Sequence, residues 1–124
     1  MKIVKTLLSA LVLLAAAAAH AEPYTQEAFD RLLSEGKPTL VAVHADWCPT
    51  CKRQAPIIDA LLKQAPYSAI TLLKVDFDKQ KDVVKSLHVP RQSALIVYKN
   101  GKEVGRSLGD TSRVSIENLL KRAI

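Results

Sequence analysis

The strongest constraint on how this chain folds is the segment Trp47-Cys48-Pro49-Thr50-Cys51, which holds its only two cysteines. An apolar run, Thr39-Leu40-Val41-Ala42-Val43, leads into it through His44-Ala45-Asp46, and the helix-compatible Lys52-Arg53-Gln54-Ala55 follows. The first sulfur therefore falls where a strand ends and a helix begins. A helix N-terminus gathers unpaired N–H groups and about half a positive charge, and both favour thiolate over thiol. Thiols in that setting ionise well below the ordinary thiol range. Two sulfurs at this spacing can close a small disulfide ring or face one soft metal ion. A purely structural staple is the poorer reading, because a small ring constrains the unfolded chain less than a long loop does.

The N-terminal segment predicts export. Met1-Lys2-Ile3-Val4-Lys5 is a basic start, Leu7 through Ala19 is apolar, and Ala19-His20-Ala21 has the small-x-small pattern of a cleavage site. Residues 1–21 thus read as a signal peptide and the product as periplasmic or secreted. The apolar stretch is 13 residues long, shorter than the roughly 20 that span a bilayer as a helix. An uncleaved anchor is the alternative. The residue directly after the cleavage point is Glu22, not a cysteine, which argues against a lipid anchor. Cleavage after Ala21 leaves 103 residues, 22–124, enough for one domain around one core. Lys2 and Lys5 leave with the leader, taking the net charge from +6 to +4. The basic residues are scattered and aromatics are few, so nucleic-acid binding has no support.

Periodicity organises the rest. Phe29, Leu32 and Leu33 predict a helix over residues 25–35, stopped by Gly36 and Pro38. Residues 39–44 read as a buried strand, and 50–64 as a helix striped by Ala55, Ile58, Leu61 and Leu62, with Pro56 inside it. Residues 70–77 predict a second strand, after which Asp78 can cap a helix over 79–87. Residues 94–99 and 102–107 flank Asn100-Gly101, which suits a type I′ hairpin turn. Val114, Ile116, Leu119, Leu120 and Ala123 mark a closing helix. The order αβαβαββα predicts an α/β fold: a four-stranded mixed sheet, its first two strands parallel, its last two antiparallel, with helices on both faces.

This order, with Trp-Cys-x-x-Cys after the first strand, resembles the thioredoxin family. Cys51-Lys52 with Ala55-Pro56-Ile57 is similar to the family's segment after its active site, and Lys74-Val75-Asp76-Phe77-Asp78 to its second-strand segment. Leu95 to Gly101 resembles its hairpin, and Gly109 its glycine after the last strand. The resemblance covers nearly all of residues 22–124. It implies the thioredoxin-like fold and a thiol–disulfide oxidoreductase with a redox-active Cys48–Cys51 pair and no other cofactor. On that reading Cys48 is the more exposed, attacking sulfur, and Cys51 resolves the mixed disulfide with a client protein. Trp47, Pro49 and Thr50 would shape the docking surface, and the backbone around Gln92 and Ser93 would pair with an extended client strand.

Four departures from the family pattern stand out. Pro49-Thr50 replace the usual Gly-Pro between the cysteines, which bears on reduction potential. Ala42 stands where the family carries a buried acidic residue, leaving His44 and Lys74 as groups that could bias thiol ionisation. Ser93 falls at the family's cis-proline position. A cis bond before a non-proline residue costs roughly 2.5–4 kcal/mol, so Gln92–Ser93 is expected to be trans, unless the strand starts early enough for Pro90 to serve. The N-terminal edge strand of the family has little room here and is expected to be absent or a stub.

The favoured function is an exported protein-disulfide oxidoreductase, working as a reductant on cysteine-bearing client proteins and fed by a membrane electron donor, since no nicotinamide or flavin signature is present. The alternative is a soft-metal module in which the two thiolates hold copper, or share zinc or an iron–sulfur cluster across a dimer. His44 and His88 are not at obvious ligand spacing, so no metal ligands are assigned. A non-catalytic interaction domain is the remaining rival.

Overall fold

A computed structural model describes residues 21–124; the leader reading lies outside them except for Ala21. The elements are β1 (Ala21–Pro23), α1 (Gln26–Ser34), β2 (Thr39–His44), α2 (Pro49–Leu62), a 3-10 turn (Tyr67–Ala69), β3 (Thr71–Asp76), α3 (Lys81–Ser86), β4 (Ala94–Lys99), β5 (Lys102–Leu108) and α4 (Arg113–Lys121). The strands form one mixed sheet in the order β1-β3-β2-β4-β5.

The sheet has five strands where the sequence predicts four. The fifth is the edge strand expected to be missing or vestigial. Ala21, Glu22 and Pro23 pair in parallel with Leu72, Leu73 and Lys74, and the Tyr24 N–H extends the ladder to the Lys74 carbonyl at 2.8 Å. Pro23 is tolerated because an edge strand need not donate on both sides. Strands β2 and β3 are parallel, joined through α2, while β4 runs antiparallel to β2 and β5.

Alternation along β2 divides the core. Val41 and Val43 face α1 and α3, meeting Phe29, Leu32, Val84 and Leu87. Leu40 faces the other layer, with Ile58 and Leu61 of α2 and Ile116 and Leu120 of α4. Ala42 and His44 share that second face and are only partly buried. Burial on both faces explains why β2 and β4 read as continuous apolar runs.

Two local devices fix the hairpin and the α3 entry. Asn100 and Gly101 both have positive φ, 51° and 78°, as a type I′ turn requires. Asp78, the sequence's choice of cap, does not cap α3: Gln80 is the N-cap and makes no side-chain cap bond. The Asp76 carboxylate instead accepts the N–H groups of Asp78 and Lys79, each at 3.0 Å. That turn consumes two residues and frees the Asp78 carboxylate to accept the Trp47 indole N–H at 2.8 Å.

A Cβ added at Gly101 would carry the wrong φ and lie 3.2 Å from the Leu33 carbonyl oxygen. Gly101→Ala should therefore cost about 1–2 kcal/mol. A lower urea midpoint at unchanged slope is the expected reading.

Candidate functional site

Cys48 is itself the N-cap of α2. Its Sγ accepts the Cys51 N–H at 3.1 Å, the role usually taken by a Ser, Thr or Asp oxygen. Pro49 occupies the first helical turn, where a missing N–H costs nothing. The first sulfur is thus held at the helix mouth by the same bond that starts the helix, and Cys51 lies one turn further in.

The cap also turns the sulfur inward. Cys48 is 0% exposed and Cys51 7%, the reverse of the expected order of exposure. Cys48 packs with Ala45, Cys51 and the partly buried Phe77. Burial raises the Cys48 pKa, but hydrogen bonds from the Cys51 thiol and N–H, the Gln92 side chain and the Thr50 N–H outweigh it, and the net direction is down. Thr50 acts here through its backbone. Burial pushes the Cys51 thiol up to about 11, helped by its hydrogen bond to Cys48. One sulfur is poised to ionise and its neighbour to keep its proton.

Opposite the sulfurs, the loop before β4 is locked without a proline. The cis bond among the described residues is Ala65–Pro66, so Gln92–Ser93 is trans. Ser93 adopts φ 64° and is buried. Its N–H donates to the Val43 carbonyl at 2.7 Å, and its own carbonyl accepts the Gly109 N–H at 3.0 Å. Its hydroxyl donates to the Gln92 carbonyl at 2.6 Å. Beside this turn the Gln92 side chain reaches Cys48 as a hydrogen-bond partner.

Gln54 is the site residue the sequence did not single out. Buried on α2, it donates through one amide nitrogen to the Ser93 carbonyl at 3.1 Å and to the Asp110 carbonyl at 2.9 Å. It ties the Ser93 loop and the start of α4 to the cysteine helix. A signal was present: Gln54 sits on the Cys51, Ile58, Leu61 stripe, where a polar residue needs partners.

Trp47 is 56% exposed, so it belongs to the surface around the site, oriented by Asp78. His44 and Lys74 are not among the groups that shift either cysteine. They line a cavity of about 220 Å³ behind Cys51, beside Ala42. Lys74 is the exposed register partner of Ala42. Among the described residues, no group of three or more His, Cys, Asp or Glu converges as a metal site.

Comparison with known proteins agrees with this geometry. Residues 20–122 match the sequence model of the family described as Thioredoxin. A thioredoxin of Chlamydia trachomatis is 34% identical over 98 residues, covering 79% of this chain and 93% of that protein. Thioredoxin-1 of Saccharomyces cerevisiae is 34% identical over 85 residues, covering 68% and 81%. The crystal structure of Trxlp from Edwardsiella tarda EIB202 superposes with a TM-score of 0.78 at 43% identity, covering 81% of this chain and 97% of that one.

Ultraviolet thiolate absorbance should rise in two separated steps, the first below the ordinary thiol value of 9.0 and the second toward 11. Gln92→Ala should move the first step upward. The sign for stability follows: Cys51, raised in the fold, contributes fully below 9.0 and loses that contribution as pH climbs through about 11. Gln54→Leu, which strips the Asp110 carbonyl of its partner, should cost about 1–3 kcal/mol in denaturant titration.

Proposed function

Because the chain belongs to the thioredoxin family, we propose that it is an exported thiol–disulfide oxidoreductase that works as a reductant of client proteins. The observation that carries this is the split between the two sulfurs: Cys48 lowered at the helix mouth, Cys51 raised behind it. Family membership supplies the oxidoreductase activity, and the split divides the roles, Cys48 attacking and Cys51 resolving. Oxidising power grows when the reduced form is stabilised as thiolate. The lowered Cys48 moves the pair that way, so the reductant direction rests on the likeness to thioredoxins.

In this reading Cys48 attacks a client disulfide, and the Gln92 amide that covered the sulfur gives way to the incoming bond. The client's first sulfur leaves as a thiolate. Cys51 then displaces the second, closing Cys48–Cys51 and releasing the client as a dithiol. The exposed Trp47 ring borders the docking surface, and the Gln92 backbone offers pairing to an extended client segment. The protein must be re-reduced, and with an exported location the donor sits at the membrane. Export is supported by the basic-apolar-small leader, which the family match largely leaves out by beginning at residue 20. The soft-metal alternative gains no support from the ligand geometry.

Equilibration of the Cys48–Cys51 pair against a glutathione couple tests the direction. A potential near the about −270 mV of a dithiol reductant is expected, and one near the about −120 mV of a strong oxidant would refute it. Expressed from its full-length sequence in bacterial cells, the exported protein should begin at Glu22 by N-terminal sequencing of the extracytoplasmic fraction. Recovery of uncleaved chain in the cytoplasm would remove the location.

A further inference from the structure

The face of the sheet behind Cys51 is open. Ala42 and His44 of β2, Leu72 and Lys74 of β3, and Cys51 and Ile58 of α2 line one cavity of about 220 Å³. It has room for several waters. Its walls are largely apolar, but Lys52 and Asp59 from α2, Lys74 from β3 and Asp46 after β2 also line it. Lys52, Asp59, Lys74 and Asp46 are exposed. A cavity open to solvent and rimmed by charge can take up water, unlike a sealed apolar void, which stays dry. It gives Cys51 an approach to solvent separate from the client-facing side.

His44 stands in the wall of this cavity with both ring nitrogens engaged. Nδ1 lies 3.3 Å from the Val75 carbonyl, and Nε2 lies 3.5 Å from a carboxylate oxygen of Asp46. A carbonyl and a carboxylate only accept, and a neutral imidazole can donate to one of them, whereas a doubly protonated ring donates to both. The charged groups around the ring are Asp46 on its own connection, Lys74 and its register neighbour Asp76 on β3, Lys52 and Asp59 on α2, and Glu22 of β1 in the adjoining hollow.

We propose that His44, through water in this cavity, accepts the proton that Cys51 must lose in the resolving step, taking over a role for which Ala42 leaves no carboxylate. The proposal rests on the thiol-exchange reading and deepens it. The proton passes from Cys51 Sγ–H to water and on to His44 Nε2. The Cys51 thiolate attacks Cys48 Sγ, the Cys48–Cys51 bond forms, and the bond from Cys48 to the client sulfur breaks. That sulfur leaves with the bonding pair as a thiolate. Across both steps two cysteines are oxidised and one disulfide is reduced.

The test uses the full chain and a stoichiometric chromogenic aryl disulfide in stopped flow. Reduced protein should release aryl thiolate in two phases, first by attack of Cys48 and then by displacement with Cys51. His44→Gln keeps a polar side chain at a partly exposed strand end but cannot take up the proton. Its second phase should slow by roughly a hundredfold at neutral pH, the lower end of what general bases contribute. The wild-type second phase should climb with pH and then level off. In His44→Gln it should keep climbing without that plateau. Ala42→Val, which puts two methyls into the cavity and suits a strand, should slow the same phase with His44 intact. An unchanged second phase and pH profile in His44→Gln overturns the proposal, as does an unaffected second phase in folded Ala42→Val. Loss of the first phase in the wild type would instead sink the thiol-exchange reading itself.

Discussion

The bond from the Cys51 N–H to the Cys48 sulfur is what the site is built around. It starts α2, anchors the sulfur in the field of the helix terminus, and draws it inward out of solvent. A serine could cap the helix equally well, so the cap alone does not demand sulfur. What sulfur adds is a group that carries negative charge there and still attacks another sulfur. The inward turn has a second effect. Cys48 has its charge favoured by hydrogen bonds, the Gln92 side chain among them, while standing out of solvent.

The loop over the sulfurs depends on three short hydrogen-bonded links: Ser93 to Val43, Ser93 to Gly109 and Gln54 to Ser93. Together they hold a non-glycine residue at positive φ in a buried position, an arrangement that persists only when its surroundings over-determine it. Gln54 connects the two halves of the site, since it lies one turn beyond Cys51 on α2 and reaches both the Ser93 loop and the start of α4. The loop is held here by backbone pairing and one buried amide.

Much of this was legible in the residues. The period switching between strand and helix gives the αβαβαββα order, and Asn100-Gly101 gives the hairpin, because each is written in a local pattern. The cysteines' place at a strand–helix junction is legible for the same reason. What escaped is what neighbours decide. Three residues of β1 carry no alternation of their own; the free edge of β3 recruits them. Asp78 looks like a cap until Asp76 takes the turn and Trp47 takes Asp78. The inward burial of Cys48 follows from the cap geometry, and the partners of Gln54 come from loops 39 and 56 positions away in the chain. None of these is visible at short range.

The margins of the sheet complete the picture. One edge, β1, is three residues long and ends in proline; the other, β5, carries Lys102, Glu103 and Arg106. Short, proline-ended and charged borders discourage a foreign chain from extending the sheet sideways. On the proposed reading, borders blunted in this way favour the loop facing the sulfurs as the place where an extended client lies down.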